Sequence, residues 1–440
     1  MSIHSTEKKH LSANGMLREV RATFDDIPTL PKDPRGLKHA ISQADCLMSG
    51  LSVFGLKFPS LLQFDNGLDD PVVKHNLRTL YRVKEAPSDT YMRERLDTLD
   101  PQSIRPAFVR IFALIQRGKV IEDYVYLDGC VLIACDGTGM FSSDAVHCGN
   151  CCEKHHKDGT ITYYHQMLSG VVLHPDQREV FPLCPEPISK GDGSTKNDCE
   201  QNAFDRFFHH FCKEHPHLKA IFTCDALSAK VPYLRPVVEK GHHFIVGVNP
   251  TGNPSLFEWL KGVEMVTHKV TLRGEVLELS FYNKIPLNNS HPDFEVNFVD
   301  CKVTNRRGKT SHFSWVTDIP VTKENVFQIA RGGRARWKIE NETFNTLKNQ
   351  GYNFEHNYGH GYQHLSHVFG LLMFLAFFID QVQQHCCGLF QVAVKQAKTR
   401  ARFWRRQLSI FTELYIASWE DLFLWMVDRK HGGVTMSDTS

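Results

Sequence analysis

The hydrophobic pattern of this chain changes from a helical period to a strand-like period near residue 119. Between residues 36 and 118, apolar residues recur at helical spacing, as in LKHAISQADCLMSGLSVFGL and IRPAFVRIFALIQRG. The segment YVYLDGCVLIACDGTGMF then has two β-rich runs around a DG turn, and ITYYHQMLSGVVLHPDQREVFPL continues with further strands. The sequence therefore predicts a helical N-terminal region that is followed by a sheet.

Helical and strand segments alternate from residue 119 to residue 263. The order strand, strand, strand, helix, strand, helix, strand predicts an α/β fold with a mixed sheet. Residues 264–320 have a mostly β pattern, with turn signals such as LNNSHPD and NRRGK. Core helices are expected over residues 321–380, and a basic helical region is expected over residues 381–440. Residues 1–35 are polar and contain prolines, so this segment is expected to be flexible.

Composition and length exclude several classes of protein. The chain has 440 residues, of which 42% are hydrophobic, so it can bury a large core. The N-terminal MSIHSTEKKHLSANG lacks the apolar stretch of a secretory signal, and the thirteen cysteines are an odd number, so reduced cysteines inside the cell are expected. The longest apolar run, residues 368–379, is shorter than the roughly 20 residues that span a bilayer. We therefore expect a buried core helix there and no membrane partner. The formal net charge of +2 requires any nucleic-acid surface to be local.

Two short apolar runs, LIACD and IFTCD, are each followed by an aspartate. Asp136 and Asp225 are thus expected to end two strands, and the carboxyl end of a sheet is where α/β folds place their sites. Carboxylate oxygens are the ligands that Mg²⁺ prefers. A third carboxylate would complete a two-metal site for displacement at phosphorus.

The segment RARWKIENETFNTLK can supply the third carboxylate. On a regular α-helix, Arg336, Glu340 and Lys348 share one face, whereas Glu342 is rotated by about 200° from Glu340. Glu340 is therefore preferred over Glu342 as the metal ligand. Taken alone, this spacing is more often that of a solvated amphipathic helix.

The blocks ACDGTGMFSS, FTCDALSAK and RARWKIENETFNTLK together resemble the three acidic blocks of insertion-sequence DDE transposases, and the resemblance extends over about residues 120–365. It implies an RNase H-like catalytic domain that is interrupted by a β-rich insertion before the last acid. It also implies that Asp136, Asp225 and Glu340 are catalytic and bind Mg²⁺ or Mn²⁺. The longer gap between Asp225 and Glu340 matches such an insertion.

The last block departs from the family pattern at two positions. Arg336 precedes Glu340 by four positions, as the family pattern requires. However, Gly333 stands where the pattern has a tyrosine, and Lys348 comes one position late, with Leu347 in the expected place.

The resemblance implies a DNA transposase that binds the ends of its mobile element, cleaves them and joins them to a target. It further implies double-stranded DNA as the partner, a homodimer in the DNA complex, and a location with the nucleoid in a bacterial cytoplasm. Residues 36–118 would then bind the DNA ends. Two alternatives remain at this stage: an RNase H-like nuclease without strand transfer, and a catalytically dead DNA-binding regulator derived from a transposase.

Several further residues are candidates for DNA contacts. Arg336 and Lys348 would position phosphates, and Trp315 would either stack on an exposed base or close the core. The segment KQAKTRARFWRRQ is rich in cations and contains Phe403 and Trp404, which suits phosphate contacts with occasional stacking, although a basic helix can also face a membrane or water. Its candidate phosphate ligands are Lys395, Lys398, Arg400, Arg402, Arg405 and Arg406.

A second metal site is suggested by HCGNCCEKHHKDGTITYYH, which contains Cys148, Cys151, Cys152, His155, His156 and His165 within eighteen positions. Cys148 and Cys151, with His155, have a spacing compatible with a structural zinc, although a second cysteine or histidine pair is not evident nearby. Reduced cysteines and surface histidines are the alternative. Glu200, on the helix expected after the first strands, is a candidate for an additional metal ligand in the carboxylate site.

Overall fold

The computed structural model describes residues 8–28, 41–190, 200–272, 274–428 and 433–436. Helix α1 (Ala13–Asp25) lies within the segment that was expected to be flexible, so that expectation is wrong for these residues. The Ser12 side chain accepts a hydrogen bond from the Gly15 N–H and caps the helix. Met16, Val20 and Phe24 are spaced by four residues and are fully buried, which fixes α1 to the core. The rest of residues 1–35 lies largely outside the described residues.

Five more helices precede the sheet, in agreement with the helical pattern of residues 36–118. Four of them begin at a serine or aspartate whose side chain accepts a backbone hydrogen bond in the first turn, which is the usual way a helix start is satisfied. These helices are α2 (Gln43–Leu56), α3 (Leu61–Gly67), α4 (Pro71–Tyr81), α5 (Asp89–Asp97) and α6 (Arg105–Arg117).

Eleven strands form one mixed sheet, and the α/β prediction is confirmed. The first seven are β1 (Val131–Ser143), β2 (Cys152–His155), β3 (Ile161–Leu173), β4 (Phe181–Pro182), β5 (Glu186–Ile188), β6 (Ala220–Cys224) and β7 (His243–Gly247). Strand β3 is antiparallel to β1, whereas β6 is parallel to both β1 and β7. Helices α7 (Glu200–Glu214) and α8 (Val231–Glu239) connect these strands, and α9 (Pro254–Leu260) follows β7.

The remaining four strands extend the same sheet. They are β8 (Val266–Leu272), β9 (Glu275–Pro286), β10 (Glu295–Thr304) and β11 (Thr310–Thr317), and they fall within the range 264–320 that the sequence predicted to be β-rich. The path through the sheet is β2-β3-β1-β6-β7-β11-β10-β9-β8, with β4 and β5 pairing to β3. Because β11 pairs with β7, the β-rich segment continues the sheet beyond its parallel strands.

The C-terminal part is helical with one irregular stretch. Helix α10 (Val326–Ala335) ends just before Arg336, a π-helical segment covers Ile339–Phe344, and α11 (Asn345–Asn349) follows. The last elements are α12 (Leu365–Cys386), α13 (Gly388–Ala397), α14 (Arg400–Glu413), β12 (Leu414–Ile416), α15 (Trp419–Val427) and β13 (Val434–Met436).

Helix α12 is the centre of the helical core. It is the one helix, among the described residues, that is long and apolar enough to cross a membrane, but 94% of its most apolar window is buried inside the protein. It packs against α2, α5 and α6. The prediction of a buried core helix for residues 368–379 is therefore confirmed.

Candidate active site

The parallel strands β1 and β6 bring two aspartates to the same edge of the sheet. Their pairing ends with Ala134 opposite Thr223, and Asp225 directly follows β6, as predicted. The prediction that Asp136 also ends its strand is wrong. Strand β1 continues to Ser143, because its outer residues pair with the long strand β3 instead of β6. Asp136 nevertheless lies two residues beyond the last β1–β6 pair.

Arg336 connects this edge of the sheet to the C-terminal helices. Its Nη1 lies 3.1 Å from Asp136 Oδ2, and its Nη2 lies 2.7 Å from Glu340 Oε1. The Arg336 side chain is only 21% exposed, so both contacts are partly shielded from water. One guanidinium thus joins two carboxylates that are 204 positions apart in the sequence, as their residue numbers show.

The acids at this edge share one electrostatic environment. Burial raises the pKa of Asp136, the Arg336 guanidinium opposes this rise, and the negative charges of Asp225 and Glu340 add to it. Burial also raises the pKa of Glu200, with further contributions from Asp136 and Asp225. The ionised forms of Asp136 and Glu200 are thus disfavoured by burial and by neighbouring negative charge, and a bound cation would stabilise them.

Glu200 joins the group from the first turn of α7. Its Oε1 accepts a hydrogen bond of 2.9 Å from Gln166 Nε2 on β3. It also packs so closely on Gly137 that a Cβ at that position would overlap the carboxylate. The glycine after Asp136 therefore leaves the space that Glu200 fills. The structure places this additional candidate ligand next to the two aspartates.

The other charges of the third block point elsewhere. Glu342 Oε2 lies 3.9 Å from Arg178, whereas Lys348 forms an ion pair of 2.7 Å with Glu355. Lys348 therefore pairs with a carboxylate of the connection that follows α11, and its contact with phosphate stays a prediction. The π-helical segment departs from the regular α-helical geometry on which the shared face of Arg336, Glu340 and Lys348 was predicted.

Trp315 lies in the core, which contradicts its base-stacking role. Only 5% of this residue is exposed, and its indole packs against Gly333 of α10. A more exposed aromatic residue was not singled out from the sequence. Trp337 follows Arg336 directly and is 63% exposed. A tryptophan between two cations in RARWKIE was the available signal.

The basic C-terminal segment presents several of its cations to solvent. Lys395, Lys398, Arg402 and Arg405 are exposed, whereas Arg400 donates a hydrogen bond of 3.0 Å to Gln350 Oε1. Phe403 and Trp404 are buried, so the structure does not support stacking of bases on these two rings. Arg406 lies in the same helix and is partly buried.

The structure corrects the prediction that His155 is a zinc ligand. Cys148 and Cys151 come together with His165 and His360, and the ligand atoms of these four residues lie within 4.8 Å of one another. His155 is not among them, because it projects outward from β2 with a 67% exposed side chain beside Glu153. Within the described ranges, no other group of three or more such residues is as tight. The cluster can hold a metal.

The carboxylate site and the cysteine–histidine cluster offer different ligand atoms to a metal ion. Asp136, Asp225, Glu340 and Glu200 offer only oxygen ligands, which suits Mg²⁺ or Mn²⁺. Their oxygens are less tightly grouped than the cysteine and histidine ligands, since Arg336 stands between Asp136 and Glu340.

The comparisons with known proteins identify no family for this chain. No protein-family model matches it, and no curated protein matches it significantly. Its chemistry must therefore be argued from the site.

Proposed function

We propose that this chain is a DNA transposase of the DDE type, which cleaves and joins DNA strands by metal-dependent phosphoryl transfer. The observation that carries the proposal is the double ion pair of Arg336 with Asp136 and Glu340 beside Asp225. The three acids come from the three sequence blocks that resemble this family. A glutamate that only solvates the surface of a helix would not be expected to share an arginine with an aspartate of the sheet.

The order of the strands supports an RNase H-like catalytic domain. The path β3-β1-β6-β7 has an antiparallel pair on one side of β1 and parallel strands on the other. We assign residues 119–263 to the first part of this domain and strands β8 to β11 to its insertion. The insertion lies between Asp225 and Glu340 in sequence, as the resemblance requires.

In this mechanism Asp136, Asp225 and Glu340 would hold divalent cations, with Glu200 as a further candidate ligand. Bound cations would supply Lewis-acid activation of the attacking oxygen and stabilise the leaving oxygen. Arg336 has five N–H donors and uses two of its nitrogens on the carboxylates, so remaining donors can bind a phosphate oxygen. Trp337 follows Arg336 in the sequence and is exposed, so it would be available to stack on a base.

One experiment separates the proposal from its two alternatives. The full-length protein is incubated with labelled double-stranded DNA from both sides of its coding sequence, with unlabelled target plasmid and Mg²⁺. A transposase yields labelled DNA joined to the plasmid, a nuclease yields cut DNA alone, and a dead regulator yields only a shifted complex. We expect joined products that disappear with EDTA. A shifted complex without cleavage in either Mg²⁺ or Mn²⁺ would refute the enzymatic proposal.

A further inference from the structure

We propose that Cys148, Cys151, His165 and His360 bind one Zn²⁺ ion, which fastens the segment between α11 and α12 to strand β3. The four residues come from three separate parts of the chain. Cys148 and Cys151 lie in the connection between β1 and β2, His165 lies on β3, and His360 lies between α11 and α12. The inference concerns a site other than the carboxylates of the proposed function.

The spacing of the ligand atoms matches a tetrahedral zinc site. The two sulfurs are 3.9 Å apart, and the sulfur-to-Nε2 distances are 3.6, 3.5 and 3.3 Å. With Zn–S bonds of about 2.3 Å and Zn–N bonds of about 2.0–2.1 Å, a tetrahedron has S–S edges of about 3.8 Å and S–N edges of about 3.5 Å. The observed distances deviate from these values by only a few tenths of an ångström.

The donor types and their burial favour zinc over the harder cations. Two cysteine sulfurs and two imidazoles form a common ligand set of structural zinc, whereas Mg²⁺ prefers oxygen. Cys151 and His165 are each 1% exposed, and His360 is 7% exposed. A shared cation explains why two thiols and two imidazoles converge on one point.

A buried histidine orients one of the ligands. His165 Nδ1 lies 3.2 Å from Nε2 of His367, which is 2% exposed on α12. This contact leaves His165 Nε2 directed at the two sulfurs. Metal-binding histidines usually have such a partner on the second ring nitrogen, because it fixes the ring and its tautomer.

Strand β3 would link the bound zinc ion to the carboxylate site. Adjacent residues of a strand point to opposite faces, and Gln166, which follows His165, donates to Glu200. On the other side, His360 lies within residues 350–364, a stretch without regular helix or strand that follows the third acidic block. Zinc would therefore hold both β3 and this stretch in fixed positions relative to the acidic residues of the carboxylate site.

Metal analysis of the full-length, tag-free protein tests the site directly. After dialysis against metal-free buffer, plasma mass spectrometry should find one zinc per chain. Replacement by Co²⁺ should give the absorption bands of a tetrahedral thiolate site, with a sulfur-to-cobalt band in the near ultraviolet. Less than about one zinc per ten chains, together with no cobalt spectrum after Co²⁺ addition to the apoprotein, would overturn the proposal.

Matched variants locate the ion. His360→Gln and Cys151→Ser should each lower the amount of bound zinc at least tenfold. His155→Gln changes an exposed histidine of the same region and should retain the zinc. If a cysteine variant fails to fold, His360→Gln and the wild-type analysis still decide. Zinc retained by His360→Gln and lost by His155→Gln would overturn the ligand assignment. None of these measurements uses DNA, so their failure is distinguishable from failure of the proposed function.

Hydrogen exchange tests the fastening role. Removal of zinc by a chelator should accelerate amide exchange at least tenfold in residues 350–364, relative to strands β8 and β9 at the far end of the sheet, which serve as an internal control. Equal exchange of this segment with and without zinc would contradict the fastening role.

Discussion

Arg336 is the residue on which the geometry of the candidate active site depends. Two carboxylates, Asp136 and Glu340, lie within hydrogen-bond distance of its guanidinium, and each is partly withdrawn from water. Partly buried charges of one sign require compensation. In the proposed metal-bound state, the cations would share this compensation with Arg336, so the arginine would be available to contact phosphate.

The first prediction compares the two glutamates of the third block. Glu340→Gln should reduce DNA cleavage to about one-thousandth or less, because an amide cannot supply the negative charge that holds the cations, and the loss of several kcal/mol corresponds to such a factor. Glu342→Gln should remain close to wild type, since Glu342 lies near Arg178 instead. Single-turnover cleavage rates measure both. An inactive Glu342→Gln with an active Glu340→Gln would show that the wrong acid was assigned.

The second prediction concerns Arg336. Arg336→Ala should lower the cleavage rate about 10- to 100-fold, which corresponds to the loss of one charge-assisted hydrogen bond to phosphate at about 1.5–3 kcal/mol. Arg178→Ala, which removes a cation with a 68% exposed side chain, is the control and should be nearly silent. Single-turnover rates at saturating DNA and Mg²⁺ make the comparison. A wild-type rate for Arg336→Ala would exclude a role in catalysis.

At the scale of elements, helix α10, which precedes the third acidic residue, packs closely against strand β11. Gly333 stands where the family pattern has a tyrosine, and the indole of Trp315 occupies the space beside it. A Cβ at Gly333 would lie about 2.5 Å from Cε2 of that indole, which is closer than a real contact permits. The missing tyrosine is therefore explained by packing: α10 approaches β11 through a glycine and a tryptophan.

The third prediction tests this packing. Gly333→Ala should destabilise the protein by about 1–3 kcal/mol, the usual cost of overpacking, although alanine is intrinsically the better helix former. Thermal unfolding measures the change. Gly67→Ala is the control, because its added Cβ would make only ordinary contacts of 3.7 Å and longer with Val73. An unchanged or higher Tm for Gly333→Ala would contradict the close approach.

The element pattern was readable from the sequence because it depends on local periodicity. The helices of residues 36–118, the β-rich segment 264–320 and the buried apolar helix follow from spacing alone. The π-helical segment Ile339–Phe344 could not be read in this way, since it has the composition of an ordinary α-helix. Regular α-helical spacing therefore does not describe the path from Glu340 to Lys348, and Lys348 pairs with Glu355.

The candidate sites were only partly predictable, because their residues are distant in sequence. The pair Cys148 and Cys151 has a recognisable spacing, but His360 lies 209 positions beyond Cys151 and has no local signal. Asp136 and Asp225 could be paired in advance because parallel strands place their carboxyl ends together. The contact of Glu200 with Gly137 depends on how α7 packs on the sheet, which periodicity does not encode.

At the scale of the whole molecule, the N-terminal helices, the sheet and α12 share one hydrophobic core. The C-terminal helices also join it through buried Phe403 and Phe411 of α14. The exposed cations of α13 and α14 therefore stand on a framework continuous with the sheet. In the proposed function, this basic surface binds the phosphate backbone outside the reacting bond.

The fourth prediction addresses this surface. The double variant Lys395→Ala, Arg402→Ala should reduce the slope of log affinity for DNA against log salt concentration by roughly one unit for each lost phosphate contact. The double variant Lys261→Ala, Lys269→Ala removes the same charge from residues paired with surface glutamates and is the control. Affinity is measured by fluorescence anisotropy at several salt concentrations. An equal slope for wild type and the α13–α14 variant would assign these helices to another surface.

The central claim is that Asp136, Asp225 and Glu340 support metal-dependent strand cleavage, and Asp225→Asn tests it most directly. Asparagine can still accept the hydrogen bond that Asp225 receives from the Leu227 N–H, so the fold is preserved. The measurement is single-turnover cleavage of the labelled flanking DNA in Mg²⁺, with DNA affinity determined in parallel. The account predicts that Asp225→Asn binds DNA within about twofold of wild type and cleaves it at least about a thousandfold more slowly. Cleavage by Asp225→Asn at the wild-type rate would contradict it.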